Sequence, residues 1–306
     1  MKIFRKILIA LAVVVVVLNW TWGKLPTEPP APPQSKYATV NGVKVHYMET
    51  KGKGPGVIMI HGHPGTFLDW NYVRQQLPGT RTIAIDRPGY GYSSGGYVDF
   101  DDQVKLVHDL ATQLGMKKPV IAGHSYGGTM AVAYAERYPK QTTGIVPVDP
   151  ALDPNGAKEL DRIQAHFLKV LELPVIEQIS NATFSQLMLT GLSTPQVEQA
   201  FTPDPVNADY KEQLKAVNLK SSDLKTFADE TLDFDGVVDS ILPGLSRIKV
   251  PTIVIQGRGD KLVTASSTAS ATRKIPGAKY VSLPGGHMQT WVHPDQVAAA
   301  VRQASR

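Results

Sequence analysis

The sequence predicts an α/β protein: a mostly parallel, doubly wound sheet with an inserted helical cap and an N-terminal apolar helix. Three observations predict it. Short apolar runs alternate with helical stretches from about Tyr37 to Pro150, and such alternation implies crossover units and a parallel sheet. The alternation stops over residues 151–247, which read as helices and loops with many charges, and then resumes. The first 23 residues hold an unbroken apolar run from Ile7 to Leu18 behind Lys2, Arg5 and Lys6. The expected domains are a membrane anchor or signal segment over 1–23 and a proline-rich linker over 24–36. A core over 37–150 and 248–306 and a helical cap over 151–247 complete the chain.

The leader, "MKIFRKILIALAVVVVVLNWTW", has five consecutive valines and no polar face. A helix of this kind needs apolar surroundings on every side. Trp20 and Trp22 suit a membrane interface, and the basic residues before the run keep the N-terminus cytoplasmic. "NWTWGK" offers no row of small residues for signal cleavage, so an uncleaved anchor is expected, with secretion after cleavage as the alternative. The rest of the chain then lies across the membrane, in the periplasm if the cell is Gram-negative. "LPTEPPAPPQSK" follows as an extended, semi-rigid spacer.

"ATVNGVKVHYME" alternates around Asn41-Gly42 and predicts a β-hairpin. "GVIMIHG" is a buried strand, "FLDWNYVRQQL" is helical in spacing, and "RTIAIDR" is a second buried strand. "FDDQVKLVHDLATQLG" is an amphipathic helix opened by Phe100, Asp101 and Asp102 and closed by Gly115. "KPVIAGHS" is a strand, "YGGTMAVAYAERYP" a helix stopped by Pro139, and "TTGIVPVDP" a strand. After the helical block come the strand "PTIVIQGRGD", the helix "ASSTASATRKI", the strand "AKYVSLPGG" and the helix "PDQVAAAVRQ".

Composition narrows the chemistry. With no cysteine, a disulfide framework, a cysteine nucleophile and a thiolate zinc site are excluded. The net charge of +5 comes mostly from Lys2, Arg5, Lys6 and Lys24; the remaining charges nearly balance, at 28 positive and 27 negative. There is no basic stripe, so no nucleic-acid partner is expected.

Gly123-His124-Ser125-Tyr126-Gly127 stands at a predicted strand-to-helix turn. A serine there is held in a strained turn above the sheet, and side chains at the flanking glycines would clash. Free serine is a weak nucleophile and needs a base, and the base needs a carboxylate to hold its tautomer.

The chain resembles the α/β-hydrolase fold superfamily over roughly residues 38–304. The motifs are "HGHPG" (61–65), "DRPGYGYS" (86–93), "GHSYGG" (123–128), "GRGDKLV" (257–263) and "LPGGHMQ" (283–289), in the family's order. The resemblance implies Ser125 as nucleophile, His287 as base and Asp260 as acid. Asp149, which also ends a strand, is the rival acid. It implies an oxyanion hole from the backbone N–H groups of His63 and Tyr126. His63 departs from the residues of many relatives, and its side chain is expected either in the pocket or against the cap. His293 is expected to start the last helix, His124 cannot turn back onto the serine, and His46, His108 and His166 lie in patterned elements.

No cofactor is expected, and no metal, because His61-x-His63 lacks a third ligand in pattern. The tripeptide Arg258-Gly259-Asp260 falls in a strand-end loop, a poor place for an adhesion motif. A serine nucleophile argues against the epoxide hydrolases and haloalkane dehalogenases of the superfamily, which use aspartate. Hydrolysis of carboxylic esters through an acyl-enzyme is the leading expectation, with a small ester-like substrate. The alternatives are a C–C bond hydrolase, a lactonase, a proline iminopeptidase-like enzyme, a cofactor-free perhydrolase, or a non-catalytic binding protein on the same fold. Phe167, Leu168, Phe184, Leu187, Met188 and Leu192 either line an apolar pocket or pack the cap.

Overall fold

The computed structural model describes residues 30–153, 162, 165–166, 169, 193–216 and 221–306. The expectations for residues 1–23, and those for Phe167, Leu168, Phe184, Leu187, Met188 and Leu192, lie outside these residues. Among the described residues no helix is long and apolar enough to cross a membrane.

The strands are β1 (Lys36–Val40), β2 (Val43–Thr50), β3 (Lys53–Ile60), β4 (Thr80–Ile85), β5 (Val120–His124), β6 (Gly144–Val148), β7 (Ile253–Gly257) and β8 (Lys279–Leu283). They form one sheet in the order β1-β2-β4-β3-β5-β6-β7-β8. β1 and β2 are antiparallel, joined at Asn41 and Gly42, whose φ of 50° and 82° suit a two-residue hairpin. β2 is also antiparallel to β4, and every later pairing is parallel. β3 sits between β4 and β5, so the chain leaves it first to one side and later to the other. In open α/β sheets the crevice beyond the strand ends at such a reversal holds the ligand. Here that crevice lies past the C-terminal ends of β3 and β5.

Among the described residues the helices are α1 (Asn71–Gln75), α2 (Phe100–Gln113), α3 (Tyr126–Arg137), α4 (Ser193–Phe201), α5 (Ala208–Ala216), α6 (Ser221–Ile241), α7 (Ala265–Thr272), α8 (Gln289–Val292) and α9 (Pro294–Ala304). The stretch read as one helix at 67–77 is split: a 3₁₀ turn over Phe67–Trp70, capped by Thr66, precedes α1. α2 starts at Phe100, where its pattern starts, and Asp99 caps it: the Asp99 side chain accepts the Asp102 N–H at 3.0 Å.

The period of two along each strand divides the core. Ile58, Ile60, Ile83, Ile121 and Ile145 face α2 and α3 through Val104, Val107 and Met130. Val57, Met59, Ala84, Val120 and Val146 face α1 and α9 through Val73, Val297 and Val301. Each fully buried aliphatic side chain contributes about 1.5–3 kcal/mol. The two faces together hold rigid the strand ends that carry the site.

Candidate active site

β5 ends at His124 and α3 starts at Tyr126, so Ser125 alone turns the chain. Its φ of 53° and ψ of −119° are strained for a residue with a Cβ. The surroundings enforce them. The Ser125 N–H donates to the Val148 carbonyl at 2.9 Å, and its carbonyl accepts the Gly128 and Thr129 N–H groups at 2.8 and 3.1 Å. The flanking glycines are steric necessities. A Cβ on Gly123 would sit 1.9 Å from the Gly127 oxygen, and one on Gly127 would sit 2.4 Å from the Ile60 oxygen. The strands and α3 approach too closely there for any side chain.

His287 lies between β8 and α8, buried, and its Nδ1 donates to Asp260 Oδ2 at 2.7 Å. Asp260 follows β7. Its Oδ1 accepts the N–H groups of Leu262 and Val263 at 2.8 and 2.9 Å, and Gln256 Nε2 donates to Oδ2 at 2.9 Å. Burial works against ionisation of Asp260, but His287 and the two backbone donors outweigh it and hold its pKa below the usual carboxylate value. A carboxylate at Nδ1 leaves the lone pair of a neutral imidazole on Nε2. The histidine loop is fixed from above and below: the His287 N–H donates to Ala200 O in α4, and its carbonyl accepts from His124 Nε2, each at 2.8 Å. The ring of His124, next to Ser125, is 4.9 Å from that of His287.

Asp149 does not take the place of Asp260. Its Oδ1 accepts the Gly257 N–H at 2.8 Å and its Oδ2 the Gln289 N–H at 3.2 Å, so it stitches the end of β6 to β7 and α8. Burial and the neighbouring Asp260 push its carboxyl well above the usual range. Among the described residues, His124, Asp149 and His287 form one group whose ligand-type atoms lie within 4.8 Å of one another. In the bonds above each Asp149 oxygen accepts a backbone N–H, and His287 Nδ1 and His124 Nε2 are engaged.

The loop after β3 approaches the serine: a Cβ on Gly62 would lie 3.1 Å from Ser125 Cβ. His63 follows Gly62, and Tyr126, in the first turn of α3, follows the serine. The His63 side chain leans on α6. Its Nδ1 bonds Glu230 Oε2 at 2.8 Å, its Nε2 bonds Thr231 Oγ1 at 2.9 Å, and its ring stacks on Phe227 at 4.5 Å. His61 is structural: its Nε2 accepts the Arg87 N–H at 2.9 Å and its Nδ1 donates to Gly62 O at 2.9 Å. Burial, then the nearby Arg87, lower the pKa of His61 well below the usual histidine value.

The remaining histidines lie elsewhere. His293 caps α9, and His46 is buried on Asp86 at 2.8 Å. His108 stacks on Tyr138, and His166 is exposed and bonds the Arg162 carbonyl. Sequence reasoning did not find Arg87 or Glu230 beside the site. Arg87 stood inside "DRPGYGYS", but its partner is 143 residues away.

An eight-stranded α/β sheet with a strained serine at one strand end and a His–Asp pair at two others defines a class. The family model for the alpha/beta hydrolase fold matches residues 55–294. The chain belongs to that family. It is similar to the 2-hydroxy-6-oxo-6-phenylhexa-2,4-dienoate hydrolase of Burkholderia cepacia, 27% identical over 277 residues, with 85% of this chain and 92% of the relative covered. Among solved structures, the enol-lactonase from Burkholderia xenovorans LB400 superposes with a TM-score of 0.70 at 21% identity, covering 88% of this chain and 99% of its own. The thermophilic esterase from Thermogutta terrifontis gives 0.66 at 21% identity, covering 88% and 97%. At such identity the two structures show the fold.

Proposed function

We propose that this hydrolase cleaves carboxylic esters through an acyl-enzyme on Ser125. The observation that carries the proposal is the His287–Asp260 bond of 2.7 Å together with Ser125 in its strained turn. In the first half-reaction, His287 Nε2 takes the Oγ proton as Oγ adds to the substrate carbonyl carbon. The oxyanion is received by the N–H groups of Tyr126 and His63, and each such donor is worth about 3 kcal/mol of barrier. His287 then passes the proton to the leaving alcohol. In the second half-reaction, His287 deprotonates a water that attacks the acyl carbon, and the proton returns to Oγ as the acid departs. Asp260 stabilises the imidazolium in both halves.

A second reading is C–C bond hydrolysis. The Burkholderia cepacia relative is named for a keto-dienoate, a compound with a ketone and no ester. A panel of short- and long-chain aryl esters, lactones, diketones and prolyl amides separates the two. Fastest turnover of aryl esters supports the first reading, and turnover confined to diketones replaces it with the second.

The block 151–247 serves in this proposal as a cap that selects substrate. Support comes from α4, which holds the histidine loop through Ala200, and from α6, which meets His63 through Phe227, Glu230 and Thr231. The leader is proposed to anchor the domain outside the cytoplasm, on the strength of the apolar run Ile7 to Leu18 and its basic flank. Intact-mass measurement of membrane-extracted protein is expected to show the N-terminus uncleaved. Loss of the first twenty-odd residues, with activity in the soluble fraction, would instead make the protein secreted.

A further inference from the structure

Arg87 and Glu230 are both fully buried. Their ion pair joins the loop after β4 to α6, with Arg87 Nη1 on Glu230 Oε1 and Nη2 on Oε2 at 3.0 Å. Burying such a pair is costly, and hydrophobic replacements often serve stability as well or better. Its place beside the oxyanion loop suggests another use. We propose that Arg87, held by Glu230, is a positioning residue for the oxyanion hole, so that the hole is complete only when α6 is docked. This inference rests on the serine-hydrolase proposal above.

The geometry of one peptide group carries it. A peptide is planar, so the Gly62 carbonyl and the His63 N–H lie in one plane and point opposite ways. Arg87 Nη2 donates to that carbonyl at 2.8 Å. Fixing the carbonyl fixes the direction of the N–H. A charged donor at one end of a hydrogen-bond chain also polarises the other end, which strengthens His63 N–H as a donor. The guanidinium carbon lies 4.7 Å from the ring centroids of Tyr90 and of Tyr126, the residue that carries the second proposed donor. One side chain therefore touches the peptide group of the first proposed donor and the ring of the residue that carries the second.

Glu230 sets where the guanidinium sits. The carboxylate also receives Tyr90 Oη at 2.9 Å, Gln103 Nε2 at 2.9 Å and His63 Nδ1 at 2.8 Å. Gln103 Oε1 in turn accepts from Arg87 Nη1 at 2.9 Å. Burial opposes the charge on Glu230, but Arg87 overrides it and His63 adds to the effect. The acid is held well below the usual range and stays ionised. Lysine at position 87 would keep the charge for Glu230, but a single ammonium lacks the planar fork that reaches Glu230 and Gly62 together.

Three variants of the full chain, Arg87→Lys, Glu230→Gln and Arg87→Met with Glu230→Gln, test this with an aryl ester, a serine-directed phosphonate and thermal melting. Arg87→Lys is expected to melt near the wild type, with kcat lowered about tenfold to a hundredfold and KM within about twofold. Phosphonate labelling should slow in parallel. The double variant Arg87→Met with Glu230→Gln leaves no buried charge, so it should regain the stability lost by Glu230→Gln alone without regaining kcat. A merely structural pair would restore kcat along with the melting temperature. Wild-type kcat in Arg87→Lys or in the double variant overturns the inference, as does failure of Arg87→Lys to fold, because that variant keeps the ion pair. A wild-type protein with no ester turnover and no labelling would sink the serine-hydrolase proposal instead.

Discussion

Ser125→Ala is expected to lower ester turnover about a million-fold and to abolish phosphonate labelling, with the melting transition nearly unchanged. The size follows from the role. Without Oγ no acyl-enzyme forms, and the oxyanion donors and bound geometry leave only a small residual rate. The small effect on stability follows from the site. Ser125 is held through its backbone, by Val148, Gly128 and Thr129, and alanine keeps those bonds. Alanine also inherits the same φ of 53°, so the strain is neither added nor removed. Stability is therefore expected to change by less than about 1 kcal/mol. Labelling of the variant at the wild-type rate would move the nucleophile elsewhere.

The second large effect separates two aspartates. Asp260→Asn is expected to cut kcat by about 10⁴ near neutral pH. The amide cannot stabilise imidazolium. It also presents an NH₂ to His287 Nδ1 unless it turns, and turning sets that NH₂ against the Leu262 and Val263 N–H groups that Oδ1 now accepts. Asp149→Asn should leave kcat within about tenfold and act mainly on stability. Asparagine offers one acceptor where Asp149 accepts two backbone N–H groups, so one buried donor loses its partner at about 1–3 kcal/mol. The cost is softened because burial already disfavours charge on Asp149. Steady-state kinetics beside thermal melts read both effects, and the reverse ranking would place the working acid at the end of β6.

Local signals made most of the fold legible. Asn41-Gly42 marked the hairpin because that dipeptide accepts two successive left-handed residues. The apolar runs of β3, β5, β6 and β7 read as buried strands because both faces are covered. Gly123 and Gly127 announced the serine turn because any Cβ there meets backbone. The order of the strands was not legible, since pairing depends on crossover direction and no run of residues encodes it. Asp99 was missed as the cap of α2 because the apolar pattern starts one residue later. The Arg87–Glu230 pair was hidden for another reason. Glu230 lies in a stretch rich in acids, where one fully buried carboxylate looks like its less buried neighbours Asp229 and Asp233 until tertiary structure brings a guanidinium to it. The hold of Ala200 on the histidine loop had no signal at all, because it is a backbone carbonyl.

The most direct measurement is mass spectrometry of the enzyme quenched with acid during turnover of an aryl ester. The expected result is an added mass equal to the acyl group, mapped to the peptide containing Ser125 and absent from Ser125→Ala. Steady turnover with the acyl group on another residue, or with no covalent acyl group at any quench time in an enzyme that also resists the phosphonate, would contradict an acyl-enzyme on Ser125.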